Sequence, residues 1–354
     1  MVVAACASGH HHGAEGAIPI VPPSTAAPPA AGLKPLIQGL VDKDALPLAT
    51  YQSVVRAYVV NANWSDLQPS PGAALPVDNA INSAIATVRQ LNQRTPGLDL
   101  KLRLRVYTGI NAPSWVKAIG GPPIPFVSLH GASELLGRYW LPAYGAAYQD
   151  LMDKLAARYD NVPEIREVEV TRCASVTDEP FRNDANIQPN GEQLLAAGYT
   201  IAATEACETA QLDESRAWKH TLLDLDVSPN LQIVTAGARS GKDSFSFTEK
   251  VMAYCRQLLG PQCVLENNSL DYPVKVADFT GLYAAMKHIG APLAFQTIVN
   301  SGAKHGLDTQ TLEGTLQYGV GLGANSIELH DGFASLVTAQ QLAPYGAALT
   351  NNPV

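Results

Sequence analysis

Short apolar segments alternate with longer segments of helical periodicity from residue 33 to the end of the chain. Runs such as 77–93, 140–159 and 309–323 repeat apolar residues at helical spacing. Between such runs lie eight segments with the length and composition of buried strands: 36–41, 54–60, 100–107, 166–172, 231–237, 262–267, 292–297 and 325–330. Strands that alternate with helices form parallel βα units, so this pattern predicts an α/β fold, a single closed (β/α)8 TIM barrel over residues 33–354.

The principal alternative is a doubly wound open sheet. Such sheets often carry a phosphate-binding loop after the first strand, but neither G-x-G-x-x-G nor G-x-x-x-x-G-K-[ST] follows segment 36–41. In a barrel, the active site is built at the carboxyl ends of the strands. The polar residues that follow each apolar segment are therefore the candidates for function.

Composition and charge restrict the class of partner. Hydrophobic residues make up 46% of the chain and charged residues 16%, which allows a large core and is unlike a disordered chain. The formal net charge is -8. Nucleic-acid binding requires clustered Lys and Arg, so no nucleic-acid partner is expected, and a neutral polymer fits better than an anionic one.

The first 32 residues differ in composition from the rest. Residues 1–9 (MVVAACASG) resemble the end of a secretory signal peptide, and the sequence VAAC that ends at Cys6 resembles a bacterial lipobox, in which Cys6 would be lipidated. Residues 10–32 are rich in Pro, Ala and Gly, which is typical of a flexible tether. Two interpretations stay open: a cell-surface lipoprotein with a lipid anchor at Cys6, or a secreted protein.

The other four cysteines predict two disulfides. An even number of cysteines in an exported chain favours disulfide pairing. Cys255 and Cys263 bracket a short turn and are paired here, which leaves Cys173 with Cys207. No C-x-x-C motif occurs, so a zinc site is not expected, and no apolar run reaches the roughly 18 residues of a membrane span.

The predicted strand ends carry carboxylates, amides and aromatic residues. No H-E-x-x-H or G-x-S-x-G motif occurs, which disfavours metal-dependent and serine hydrolases, and no cofactor is implied. Amides bind sugar hydroxyls, aromatic faces cover sugar rings, and two carboxyl groups perform acid and base catalysis at a glycosidic bond. The residues predicted to bind a carbohydrate substrate are Asn63, Trp64, Tyr107, Trp115, Asp178, Asn267, Gln296 and His330.

Three segments resemble clan A glycoside hydrolases, including family 42-type β-galactosidases: 63–85 (NWSDLQPSPGAALPVDNAINSAI), 103–116 (RLRVYTGINAPSWV) and 144–180. The resemblance covers residues 54–180. It implies that the fourth strand ends in Asn-Glu-Pro, whose Glu is the acid/base; Glu179 occupies that place here, and Asp178 stands where the family has Asn.

The same resemblance implies a nucleophilic Glu at the end of the seventh strand, where this chain has Gln296. A neighbouring strand must then supply the second carboxylate. Glu328 is favoured because it is the only charge in an apolar strand, with Glu266 as the alternative. A purely structural pairing of either Glu with an Arg also stays open, although Arg103 and Arg105 are expected to face the helices.

Together these patterns predict an exported glycoside hydrolase that cleaves O-glycosidic bonds of an oligo- or polysaccharide. The alternative is a carbohydrate-binding lipoprotein with a degenerate glycosidase barrel that does not cleave its ligand.

Overall fold

Eight parallel strands close into a barrel in the computed structural model, which describes residues 32–43, 45–128, 131–182, 184–234, 241–274, 277–298 and 309–354. Cys6 and the signal-peptide and tether segment before residue 32 lie outside these residues. The barrel strands are β1 Gly39–Asp42, β2 Val55–Asn63, β3 Lys101–Tyr107, β4 Ile165–Glu169, β5 Leu222–Asp226, β6 Cys263–Leu270, β7 Leu293–Thr297 and β8 Ser326–Leu329. The predicted (β/α)8 TIM barrel is confirmed.

The described helices surround the barrel: α1 Trp64–Leu67, α2 Ala80–Arg94, α3 Ser114–Lys117, α4 Pro142–Tyr159, α5 Asn190–Ala196, α6 Ile201–Glu214, α7 Phe245–Leu259, α8 Ala277–Ile289, α9 Thr309–Leu322 and α10 Ala339–Asn351. Some of these helices begin at a side-chain cap. The Asn79 side chain accepts a hydrogen bond from the Asn82 amide at the start of α2, and Thr338 and Gln341 form a capping box at α10. In the part of the chain that the structure describes, no helix is long and apolar enough to cross a membrane.

The predicted fifth strand is wrong. The described part of the predicted segment, residues 231–234, is not part of the barrel: Asn230–Ile233 pairs antiparallel with Gly241–Ser244 in a separate two-stranded sheet. The barrel strand is instead Leu222–Asp226, whose sequence LLDLD contains two carboxylates. Hydrophobicity alone did not favour this segment because its Asp residues interrupt the apolar run. A second small sheet pairs Ile124–Val127 with Ser133–Leu136.

Apolar residues fill the amino-terminal end of the barrel interior. One group contains Ile37, Val41, Ala57 and Val59, and another Leu222, Val264 and Ala294. A larger apolar core lies between the strands and the helices. The interior above the apolar layer is charged, and it leads directly to the carboxyl ends of the strands.

Both predicted disulfides are present. Cys173, in the loop after β4, is bonded to Cys207 of α6. Cys255 of α7 is bonded to Cys263 at the start of β6. Disulfides of this kind are typical of proteins that fold in an oxidising compartment.

Candidate active site

Two arginines of β3 point into the barrel. Arg103 and Arg105 are fully buried, and the expectation that they face the helices is wrong. Successive side chains of a strand point to opposite faces. Leu102 and Leu104 pack in the core against the helices, so their neighbours Arg103 and Arg105 must face inward.

Arg103 is surrounded by carboxylates from four other strands. Its Nε donates to Glu167 Oε2 at 2.8 Å, and its Nη1 lies 2.5 Å from Glu266 Oε1 and 2.7 Å from Glu328 Oε1. Asp224 of β5 approaches the same guanidinium at 3.3 Å. A buried charge is tolerated when it is paired and hydrogen-bonded in this way.

Arg105 lies one step closer to the carboxyl ends of the strands. Its Nε contacts Glu169 at 2.7 Å and Asp178 Oδ2 at 2.7 Å, and its Nη2 donates to Glu328 Oε2 at 2.9 Å. Glu328 therefore joins the two guanidinium groups, with one oxygen on each. The ionic layer, as we call it, consists of Arg103, Arg105 and the strand carboxylates that contact them: Glu167, Glu169, Asp224, Glu266 and Glu328.

The ionic layer contains both residues predicted as the second catalytic carboxylate. Glu266 and Glu328 are both fully buried and bind arginine, which is the structural pairing that the sequence left open. Burial, opposed by Arg103, raises the pKa of Glu266 to about 7. One oxygen from each of Glu169, Glu266 and Glu328 lies within 4.8 Å of the other two, a spacing that could hold a metal ion. Each of these three carboxylates binds a guanidinium group, however, and this pairing accounts for their clustering.

Asp178 and Glu179 lie above the ionic layer, in the loop that follows β4. Asp178 Oδ2 binds Arg105 and also accepts a hydrogen bond from Asn268 Nδ2 at 2.7 Å. Asn268, from β6, thus holds the loop from the opposite side. Glu179 is half-buried at the barrel mouth, and burial together with the charge of Asp178 raises its pKa to about 7. A carboxyl group with such a pKa can donate a proton near neutral pH.

Asp226, the last residue of β5, is a further acid at the mouth, and the sequence analysis missed it. Its Cα is aligned with that of Glu266, which points inward, so Asp226 points inward as well. It is 1% exposed, and neither carboxylate oxygen has a hydrogen-bond partner among the described residues. Burial and the charges of Glu179 and Asp178 raise its pKa well above the ordinary value. The alternation in LLDLD was the available signal.

Three more polar side chains lie at the ends of β6, β7 and β8. Asn268, Gln296 and His330 are 8%, 6% and 6% exposed. Within the described ranges, Asn268 Oδ1, Gln296 Oε1 and His330 Nε2 have no hydrogen-bond partner. Burial lowers the pKa of His330, which favours the neutral imidazole. Buried polar atoms without partners are rare, and these three are suited to bind hydroxyl groups of a ligand.

Two residues predicted to bind substrate lie elsewhere. Trp64 is fully buried and packs edge-on against Trp115, Tyr144 and Tyr148, so it belongs to the core. Asn267 faces the helices, where its Nδ2 donates to the Val227 carbonyl at 2.7 Å. It lies between the inward-facing Glu266 and Asn268, and the sequence analysis assigned it to the wrong side of the strand.

The other predicted contacts lie near the rim of the barrel. Asn63 and Tyr107 are half-buried and aligned with each other at the ends of β2 and β3. Asn63 Nδ2 donates to Asp66 at 3.1 Å. Trp115 is also half-buried, and its indole N–H donates to the Gln68 carbonyl at 3.2 Å. Asn63 and Tyr107 remain candidates for substrate contacts.

Neither a protein-family model nor a curated protein sequence matches this chain. Its fold is similar to that of several solved glycoside hydrolases. The β-galactosidase from the psychrophilic Marinomonas ef1 has a TM-score of 0.51 and 12% identity, over 88% of this chain and 59% of that one. Endo-glycoceramidase II from Rhodococcus sp. has a TM-score of 0.49 and 11% identity, over 87% and 78% of the two chains. The endo-β-1,4-mannanase from Thermotoga petrophila has a TM-score of 0.48 and 9% identity, over 90% and 77%.

The chain thus spans about three-fifths of the β-galactosidase that it matches. At this level of identity the likeness establishes a shared (β/α)8 fold. Membership of family 42 in particular stays a prediction.

Proposed function

We propose that this protein is a glycoside hydrolase that cleaves O-glycosidic bonds of a neutral oligo- or polysaccharide. The observation that supports the proposal is the raised pKa of Glu179. This carboxyl group is half-buried at the mouth of the closed barrel, and burial raises its pKa to about 7. General acids are most effective when their pKa lies near the operating pH. Glu179 is also the residue that matches the acid/base in the resemblance to clan A.

In this mechanism Glu179 protonates the glycosidic oxygen as the bond to the sugar carbon breaks. Asp178 and Asn268 fix the loop that carries it, because Arg105 holds Asp178 from below. The unpaired atoms of Gln296 and His330 supply hydrogen bonds to sugar hydroxyls. The two disulfides support an exported protein, and the lipid anchor at Cys6 belongs to the same proposal.

The Glu179→Gln variant tests the assignment. On aryl glycosides with poor leaving groups, we expect kcat to fall by about 10²–10⁴-fold, with a much smaller loss on good leaving groups that need no protonation. The control is Glu249→Gln, the same change at an exposed position of α7. Equal turnover by the variant and the wild type would remove Glu179 from the mechanism.

The pH profile gives a second reading. Because Glu179 must carry a proton, kcat/KM of the wild type should fall as the pH rises through about 7. The Glu179→Gln variant should lack this limb on substrates with good leaving groups.

A second candidate function is carbohydrate binding without cleavage. It is favoured by Gln296, the penultimate residue of β7, which is aligned with the inward-facing Glu328 and cannot act as a nucleophile. Calorimetric binding of a glycan, with no product after long incubation across a broad panel, would support it. Release of any reducing sugar by the wild type, absent in Glu179→Gln, would exclude it.

A further inference from the structure

We infer that Asp226, at the end of β5, is the second carboxyl group of the catalytic pair. The inference rests on the proposed glycosidase function and deepens it, because it assigns the partner of Glu179 to a strand that the clan A resemblance does not use.

The position of Asp226 is that of an active-site residue. Barrel active sites are formed by side chains at the carboxyl ends of the strands. Asp226 ends its strand, and its Cα is aligned with that of Glu266, whose side chain points to the barrel centre. The next residue, Val227, is held by a backbone hydrogen bond of 2.7 Å from its amide to the Glu266 carbonyl, so the end of β5 is fixed.

Each of the other inward-facing acids forms an ion pair with Arg103 or Arg105, although Glu266 Oε2 and both oxygens of Asp224 accept no hydrogen bond from a described residue. Glu328 binds a guanidinium group with each oxygen, Glu266 binds Arg103 through Oε1, and Asp178 binds both Arg105 and Asn268. Asp226 forms no ion pair with a described residue and accepts no hydrogen bond from one. Its two oxygens are therefore available to a substrate or a water molecule.

Electrostatics couples Asp226 to Glu179. Burial and, next, the charge of Glu179 raise the pKa of Asp226 well above the ordinary value. Because the repulsion between two charges acts on both, such a pair releases its protons in two separate steps. Between these steps the pair holds a single proton, which is the state that acid and base catalysis requires.

Glu179, Asp226 and one water molecule account for every bond that breaks and forms in the reaction. Glu179 gives its proton to the glycosidic oxygen, the bond from that oxygen to the anomeric carbon breaks, and the leaving sugar departs as an alcohol. The new bond to the anomeric carbon forms either from an Asp226 oxygen, followed by hydrolysis of the ester, or from water whose proton passes to Asp226. The positive charge that develops on the sugar stabilises ionised Asp226 at that moment.

The test uses the Asp226→Asn variant of the full chain, with Asp224→Asn as the matched control. Asp224 is another buried Asp of β5, two residues nearer the amino-terminal end, and it approaches Arg103 instead of the mouth. The substrates are aryl glycosides with good leaving groups. Their cleavage needs little protonation by Glu179, so a loss of turnover reports on Asp226. We expect kcat of Asp226→Asn to fall by about 10³-fold or more, and kcat of the control to stay within tenfold of the wild type.

Added azide should restore turnover of Asp226→Asn and give a glycosyl azide, and NMR of the wild-type product identifies retention or inversion. A purely structural role for Asp226 does not predict such rescue. Turnover by Asp226→Asn within tenfold of the wild type, in a protein with the wild-type circular dichroism spectrum, overturns the inference.

A measurement without turnover separates this inference from the proposed function. NMR titration of carboxyl carbons should show the pKa of Asp226 falling in Glu179→Gln, because the charge of Glu179 that raises it has been removed. An unchanged Asp226 titration overturns the pairing. A wild type that cleaves no glycoside, while the titration still shows coupling, refutes the proposed function and with it any catalytic role for Asp226.

Discussion

Glu328→Gln separates a structural role from a catalytic one at the centre of the barrel. The sequence favours Glu328 as the second catalytic carboxylate, whereas the structure shows it joining Arg103 and Arg105, at 2.7 and 2.9 Å, with all three side chains fully buried. The substitution keeps the shape of the side chain and removes its charge. A structural role predicts a loss of stability, and a catalytic role predicts a loss of turnover in a protein of normal stability.

The magnitude follows from what each arginine retains. Removing one partner of a buried ion pair costs about 3–5 kcal/mol. Arg103 keeps Glu167 and Glu266, and Arg105 keeps Asp178 and Glu169, so neither charge is left alone.

The substituted amide offsets little of this loss. The Gln oxygen can accept a hydrogen bond from one guanidinium group. Its NH2 group then faces the other guanidinium group, and no hydrogen bond forms there because both groups are donors. The charge of Glu328 also raises the pKa of Glu266 in the wild type, so Glu266 ionises more readily in the variant and compensates in part. We therefore expect a loss near the lower end of the range, about 3 kcal/mol.

Urea unfolding followed by tryptophan fluorescence measures this loss. The control is Glu164→Gln, which removes a 2.8 Å ion pair with Arg89 at the surface, where the Arg89 side chain is 48% exposed. Exposed pairs contribute about 1 kcal/mol or less. If Glu328→Gln unfolds at the wild-type urea concentration and has lost all turnover, the structural account is wrong and Glu328 is catalytic.

Three further predictions concern the disulfides, the acidic interior and the aromatic core. A disulfide that closes a longer loop is expected to stabilise the fold more. Replacing both cysteines of Cys173–Cys207, with a sequence separation of 34, should therefore lower the free energy of unfolding in urea by about 4 kcal/mol, and replacing both of Cys255–Cys263, with a separation of 8, by about 2.5 kcal/mol. A larger loss from the second replacement would contradict the dependence on loop length. The pKa of Glu266 is raised from 4.5 to about 7, so the folded state binds the proton of Glu266 more tightly than the unfolded state does. This proton contributes about 3 kcal/mol to the free energy of unfolding below pH 4.5, and we expect that contribution to be lost as the pH rises through 7. Glu266→Gln should flatten that slope, and a wild-type stability that rises over this window would refute the assignment. Trp64→Ala should lower the free energy of unfolding by about 3–5 kcal/mol, because Trp64 is fully buried, and should leave KM unchanged. A raised KM in a variant of normal stability would support the sequence prediction that Trp64 contacts the substrate.

The barrel could be predicted from the sequence because its signal is repeated. Seven of the eight predicted strand segments overlap barrel strands, and an error in one βα unit does not change the architecture. The missed strand contains two buried acids: Asp224, whose charge Arg103 of β3 compensates, and Asp226, which lies at the mouth without a hydrogen-bond partner among the described residues. Such compensation is a property of the closed barrel, and a local hydrophobicity pattern does not contain it.

The candidate site could be predicted in part, for a different reason. Glu179 belongs to a recognisable Glu-Pro sequence in the loop after β4, which ends at Glu169, so its place on the carboxyl side of that strand followed from the motif. The strand-end residues Asn267 and Asn268 differ by one position, and one faces the helices while the other faces the mouth. A shift of one residue reverses the face of every side chain in a strand. Choosing between them required the ladder alignment, which the sequence alone does not specify.

Asp178 shows how the ionic layer and the mouth depend on each other. Where the resemblance expects Asn, this chain has a carboxylate, and the guanidinium of Arg105 lies 2.7 Å beneath it. Burial and, next, the charge of Asp178 raise the pKa of Glu179 to about 7, and Asp178 contributes to the raised pKa of Asp226. An Asn at this position would still bind a hydroxyl, but it would neither form an ion pair with Arg105 nor add a charge that raises the pKa of Glu179. The departure from the family pattern is therefore physically linked to the arginine that β3 places inside the barrel.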